Sequence, residues 1–174
     1  MPRLIKVNRL GGGKVEVEAS QIKERVGVYA MLFDWQTKKR VLLVRMFNGK
    51  LTAPGGEKEP YETFEEALRR EVTVEECGVP FSIMGQCGFC EGFVALPDLV
   101  EVGYHSTALF FYGVADGNRP LITRIQNHGH DDEYEVRPEW VDISCLTVDM
   151  FVNEAVYSQF RMAARKMFTT GVAW

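Results

Sequence analysis

The chain has 174 residues, of which 46% are hydrophobic and 25% charged, and a formal net charge of −4. That length and balance fit one globular domain, expected over 1–174, with enough chain to bury a full core. The mild negative charge excludes the basic footprint of a protein that coats nucleic acid, though not recognition of a single nucleotide. No apolar run approaches the ~20 residues of a membrane helix, and the opening Met1-Pro2-Arg3-Leu4-Ile5-Lys6 lacks a signal-like apolar core. A cytoplasmic protein is expected. The four cysteines suit a reducing compartment, and the one C-x2-C pair, Cys87 and Cys90, supplies half of the usual zinc ligand set. Free thiols are the expectation.

In chain order, Leu4 to Val7 and Val15 to Ala19 alternate apolar and polar residues around Gly11-Gly12-Gly13, the pattern of a β-hairpin with a solvated turn. Val26 to Phe33 is apolar enough for a strand buried on both faces, and Val41 to Phe47 returns as a second. Asn48-Gly49 is a turn signal. Leu51-Thr52-Ala53 then leads into Pro54-Gly55-Gly56-Glu57.

Next comes a helix. Thr63 and Glu66 have the spacing of a capping box, and Phe64, Ala67, Leu68 and Val72 form an apolar stripe. Gly78 followed by Val79-Pro80 ends it. On an α-helix Glu71 and Glu75, four apart, project from one face. Two carboxylates ~6 Å apart repel by roughly 2–3 kcal/mol at an effective dielectric near 20. A hard divalent cation removes that repulsion, and magnesium typically takes one or two carboxylates plus phosphate oxygens.

Beyond the helix, Phe81 to Met84, Gln86 to Leu96 and Tyr104 to Val114 read as strands, and Asn127 to Glu133 as a polar loop. Glu139-Trp140-Val141 is a short strand, and Asp149 to Phe168 is an amphipathic helix. Trp35, Tyr61, Phe89, Phe93 and Tyr104 offer faces on which a base could stack, but aromatic residues at strand spacing are usually core, and none is assigned to the site. Strands, helix, strands and a terminal helix make an α+β arrangement, a sheet sandwiched by helices.

Gly56, five residues, Glu62, seven residues, then Arg70-Glu71-Val72, with Glu75-Glu76 and Gly78-Val79 following, resembles the Nudix box. The resemblance implies a Nudix-like α/β/α sandwich with a mixed sheet. It also implies magnesium-dependent hydrolysis, with manganese as a substitute, of a pyrophosphate bond in a nucleoside diphosphate derivative. Such substrates are nucleoside triphosphates, nucleotide sugars, dinucleotides and capped RNA ends. The alternative is a Nudix-fold module that binds a nucleotide or protein partner without turnover.

The family has one residue between its aliphatic position and its Glu pair, whereas Thr73 and Val74 both intervene here. Either Glu71 and Glu75 form the ligand pair and Val74 takes the middle carboxylate's place, or a π-bulge brings Glu71, Glu75 and Glu76 to the metal together. The first is preferred, with Glu76 undecided. By resemblance Arg70 orients the carboxylates, Glu62 supports them, and Gly55 offers a backbone carbonyl. The general base is a box glutamate or an acid on a later loop; there Glu133 and Glu135 are favoured over Asp131 and Asp132, with His128 and His130 alongside. A homodimer stays open.

Overall fold

The structure, a computed structural model, describes residues 2–9, 13–95, 102–119, 121–122, 124–127 and 133–169. Its strands are β1 (Leu4–Arg9), β2 (Lys14–Glu18), β3 (Ile22–Asp34), β4 (Arg40–Arg45), β5 (Leu51–Thr52), β6 (Gly55–Glu57), β7 (Phe81–Ala95), β8 (Gly103–Ala115), β9 (Arg124–Asn127) and β10 (Glu133–Asp142). They form one mixed sheet in the order β2-β1-β7-β8-β3-β4-β10-β9, with β5 on β4 and β6 on β3. Two helices, α1 (Phe64–Leu68) and α2 (Glu154–Phe168), lie with a π-helix (Arg69–Glu76) that continues α1 without a break.

β3 organises the rest because both of its faces are apolar. Met31 and Phe33 pack into one buried cluster with Val156, Phe160, Ala163 and Met167 of α2. Val28, Ala30 and Leu32 point the other way, onto Ala67, Leu68 and Val72. Each fully buried aliphatic side chain contributes roughly 1.5–3 kcal/mol, so the two layers hold the helices in place. The result is the expected sandwich. Along one edge β3 pairs with β8 in parallel over its whole length. Along the other it meets β4 only at Leu32 and Phe33, while Gly27 to Tyr29 pair with β6. The sheet splits there, and the glycine loop fills the split.

Several boundaries differ from the sequence reading. Phe81–Ala95 is one strand rather than two segments, because register shifts at Ile83/Gly85 and Gln86/Gly88 absorb the polar break without ending the pairing. Asn127 and Glu133 are not loop residues but opposite partners on β9 and β10; 128–132 lie outside the described residues. The last helix begins at Glu154, where the Asn153 side chain accepts from the Val156 N–H at 2.9 Å, and a 3-10 turn fills Val148–Met150. Trp35, Tyr61 and Phe89 are exposed rather than core, since no other layer covers their side chains. The cysteines are free thiols, and among the described residues no helix is long and apolar enough to cross a membrane.

Strand pairing also builds a cluster that no local pattern announces. His105 on β8 stacks on Phe93 of β7, with ring centroids 4.8 Å apart, and its Nδ1 lies 2.9 Å from Glu24 of β3. Its Nε2 lies 2.5 Å from Glu91. Glu24 first, then Glu91, raises the imidazole pKa above its ordinary value near 6.5. A raised folded pKa means that the stabilisation is full below about pH 6.5 and fades as pH rises through the folded value. His105→Gln should therefore lower Tm at about pH 6 and leave it nearly unchanged at about pH 9, in thermal melts of both proteins.

Candidate active site

The box segment is capped as its sequence implies. Thr63 Oγ1 accepts from the Glu66 N–H at 3.2 Å, and Glu66 returns a bond from the Thr63 N–H at 2.8 Å. After one α-helical turn the backbone widens to π-helical pairing through Glu76. Of the two accommodations of the extra residue, the structure takes the wide one. The α-helical assumption behind the preferred pairing of Glu71 with Glu75 does not hold, because a π turn places residue i+5, not i+4, above residue i. Glu71 and Glu76 therefore share the inner face. Both are nearly buried, at 6% and 5% exposure, whereas the Glu75 side chain is 44% exposed and Val74 faces solvent.

The inner carboxylates meet the glycine loop. Glu76 Oε2 accepts from the Gly55 N–H at 2.7 Å. A side chain at Gly56 would occupy the space of the Glu71 carboxylate, which explains the glycine there. Gly55 sits at φ 139°, a conformation open to glycine, and a Cβ would run into the Val28 carbonyl of β3. Gly56→Ala should fold, since its φ is ordinary, yet displace Glu71. Divalent-metal affinity is expected to drop about tenfold or more in a calorimetric titration, since removing a carboxylate from a site this buried costs over 1.4 kcal/mol.

Arg70 is the hub. Its Nε and Nη2 grip Glu62 at 2.6 and 3.0 Å, its Nη1 bridges Glu71 and Glu75 at 2.8 Å each, and Nη2 also reaches the Glu57 carbonyl at 2.8 Å. This clamp holds the Glu62 carboxyl down at about 2. Glu71 goes the other way: burial raises its pKa, and Arg70 offsets that only in part. A buried carboxylate kept short of full compensation is poised for a cation.

Among the described residues no three carboxylate, thiol or imidazole groups already converge into a metal cage. The donor set nonetheless fits magnesium, which keeps several waters and takes one or two carboxylates together with substrate oxygens. Glu71 and Glu76 supply hard oxygens beside the Gly55 main chain, and Glu75 stands next to them on Arg70.

The later acids lie elsewhere in the chain. Glu133 and Glu135 are strand residues of β10, paired with Asn127 and Ile125, and β9 and β10 run beside the π-helix. His128, His130, Asp131 and Asp132 lie outside the described residues. Glu57 and Arg25 were not singled out from sequence: Arg25 Nε lies 3.0 Å from the Glu57 carboxylate, a pairing across β3 and β6 that only the fold creates.

Comparison with known proteins agrees with the fold. A family model described as NUDIX domain matches residues 23–158. No curated protein sequence matches the chain. A NUDIX hydrolase from Nitrosomonas europaea superposes with a TM-score of 0.57 at 22% identity, covering 87% of this chain and 98% of its own. The dihydroneopterin triphosphate pyrophosphohydrolase of E. coli reaches 0.58 at 16% identity, over 84% of this chain and 96% of its own. A MutT protein from Methanosarcina mazei Go1 reaches 0.53 at 22%, over 85% and 98%. At these identities the structures speak for the fold.

Proposed function

The chain belongs to the NUDIX family, and from that premise we propose that it is a metal-dependent pyrophosphohydrolase acting on a nucleoside diphosphate derivative. The observation that carries the reading is the pair of nearly buried carboxylates, Glu71 and Glu76, packed against Gly55 and Gly56 and backed by Arg70. Burying two acids side by side is costly unless a cation is to be held there. Glu71, Glu75, Glu76 and the Gly55 carbonyl would hold magnesium, or manganese in its place; the ion, when bound, draws charge from the pyrophosphate oxygens and makes water a better nucleophile.

The protein's own groups do the rest. Arg70 fixes the carboxylates at 2.8 Å and spreads its charge over three of them, so that they keep their places before and after a cation arrives. Glu62 in turn holds Arg70 and accepts from the Glu59 N–H at 2.9 Å, tying the loop to the helix. A glutamate must orient the attacking water. Glu75, more exposed than Glu62, Glu71 and Glu76, and Glu133 on β10 are the candidates.

The test is release of nucleoside monophosphate or phosphate from a panel of nucleoside triphosphates, nucleotide sugars, dinucleotides and capped RNA, with magnesium or manganese. Release from one class identifies the substrate. Tight binding of one compound with no release from any would replace hydrolysis by recognition alone.

A further inference from the structure

At the end of β3 away from the glycine loop, three strands finish side by side. Asp34 stands opposite Ala115 in the parallel pair of β3 and β8, and Phe81 and Ser82 stand opposite Ala115 and Val114 in the antiparallel pair of β7 and β8. The Trp35 N–H donates to the Ala115 carbonyl at 2.9 Å, which ties the start of the next turn to the same place. A depression of about 320 Å³ opens there, with Trp35, Pro80, Phe81, Ser82 and Asp116 in its lining. Trp35 is six residues along the chain from Tyr29, the partner of Gly55, so roughly 20 Å of extended strand separates the depression from the box loop.

Two groups of the lining are left uncommitted by the fold. Asp116 is its ionisable residue. Its Oδ1 accepts from the Asn118 N–H at 3.0 Å, which steadies the carboxylate, and no cation pairs with it among the described residues. The guanidinium groups close by are already taken. Arg40, whose Nη2 donates to the Gly117 carbonyl at 3.3 Å, is held by Asp34 at 2.8 Å. Arg69, over the Phe81 ring at 5.8 Å, is held by Glu65 at 2.7 Å. The Trp35 side chain is 55% exposed, and among the described residues no ring, cation or hydrogen-bond acceptor engages its indole. An unpaired carboxylate and an unoccupied indole therefore line one depression, with the Ser82 hydroxyl beside them.

We propose that this depression binds a small molecule carrying an alkylated ammonium group, with Trp35 against the cation and Asp116 as its counter-charge. An aromatic face attracts such a cation through the ring quadrupole, and tryptophan does so best. Other ligand classes fit less well. A calcium or magnesium ion asks for a shell of oxygens that one carboxylate and one hydroxyl do not supply. A neutral apolar ligand would cover the Asp116 charge without pairing it, which is unfavourable, and an anion would be repelled by it. The volume lies at the small end of ligand pockets, roughly 300–1,000 Å³, and suits a head group of a few heavy atoms. The depression shares no residue with the box carboxylates, so it stands whether or not the chain hydrolyses nucleotides.

The experiment is an NMR titration of the full chain in phosphate buffer, which carries no amine, with choline and with its neutral carbon isostere 3,3-dimethylbutan-1-ol. Choline should give saturable shifts at the Trp35 indole N–H and at the Ser82 and Asp116 amides, and the isostere should bind about tenfold more weakly for want of the charge. Trp35→Leu should weaken choline by about tenfold, and Trp35→Phe, which keeps an aromatic face, should restore part of the loss. Asp116→Asn should weaken it by about fivefold, the worth of a partly exposed ion pair. Because the Trp35 side chain is exposed, its variants should fold, and Tm checks this. No saturable shift with choline overturns the proposal. Equal binding of the isostere would overturn it as well, since the depression would then recognise shape without charge. So would choline binding that persists unchanged in folded Trp35→Leu and Asp116→Asn.

Discussion

Glu71→Gln and Glu76→Gln are each expected to lower turnover of the best substrate by about a thousandfold or more, with the fold retained. A cation that polarises pyrophosphate contributes several kcal/mol in the transition state, and each 1.36 kcal/mol is a factor of ten. Both acids are nearly buried against the glycine loop, so neither is replaced by a neighbour when lost. The fold should survive for different reasons at the two positions. At residue 76 a glutamine oxygen still accepts from the Gly55 N–H. At residue 71 the substitution removes a charge whose burial is unfavourable, so Tm should hold or rise. Glu75→Gln should also lose turnover, but with the smaller loss of metal affinity, since its side chain is 44% exposed. Magnesium titration by calorimetry ranks the three. Unchanged affinity in Glu76→Gln would remove that residue from the ligand set.

The features legible in the sequence are those written in one stretch of chain. The capping box at Thr63 and Glu66, the two-faced burial of β3 and the glycine cap at Gly78, with φ 73°, all depend on residues within a few positions of each other. The π-helix was legible only as one of two options. Apolar spacing at Ala67, Leu68 and Val72 suits either winding, and the choice is made by both ends being fixed. Gly55 and Gly56 are tied to β3, and Cys77 and Val79 are buried in the core, so the surplus residue has to be taken up between them. Contacts across strands left no local trace at all. The Arg25–Glu57 pair and the His105 cluster join residues 32 and 81 positions apart or fewer, through a register that only the folded sheet defines. The exposed Trp35 and Tyr61 were misread for a related reason: an aromatic residue is core only where another layer covers it.

Deleting Val74 is expected to straighten the π-helix into an α-helix while keeping the site intact, and inserting one alanine after Val74 is expected to destroy metal binding. Val74 is the residue to remove. Its side chain is 55% exposed, whereas Thr73 Oγ1 donates to the Val79 carbonyl at 3.0 Å and secures the helix end. A π turn brings residue i+5 over residue i, much as an α turn brings i+4. Shortening the segment by one residue and tightening its winding therefore leave the Glu71 and Glu76 carboxylates on one face, now four apart. The deletion also restores the family's spacing, and Tm should hold or rise because the wide turn is the less favourable winding. An inserted alanine instead turns Glu75 and Glu76 by about 100° and carries Glu76 off the Gly55 N–H, so magnesium affinity should fall by about a hundredfold or more. Calorimetry and turnover on both variants, with circular dichroism to confirm folding, decide the matter. A folded deletion variant that loses magnesium would mean that the wide turn itself aims the carboxylates.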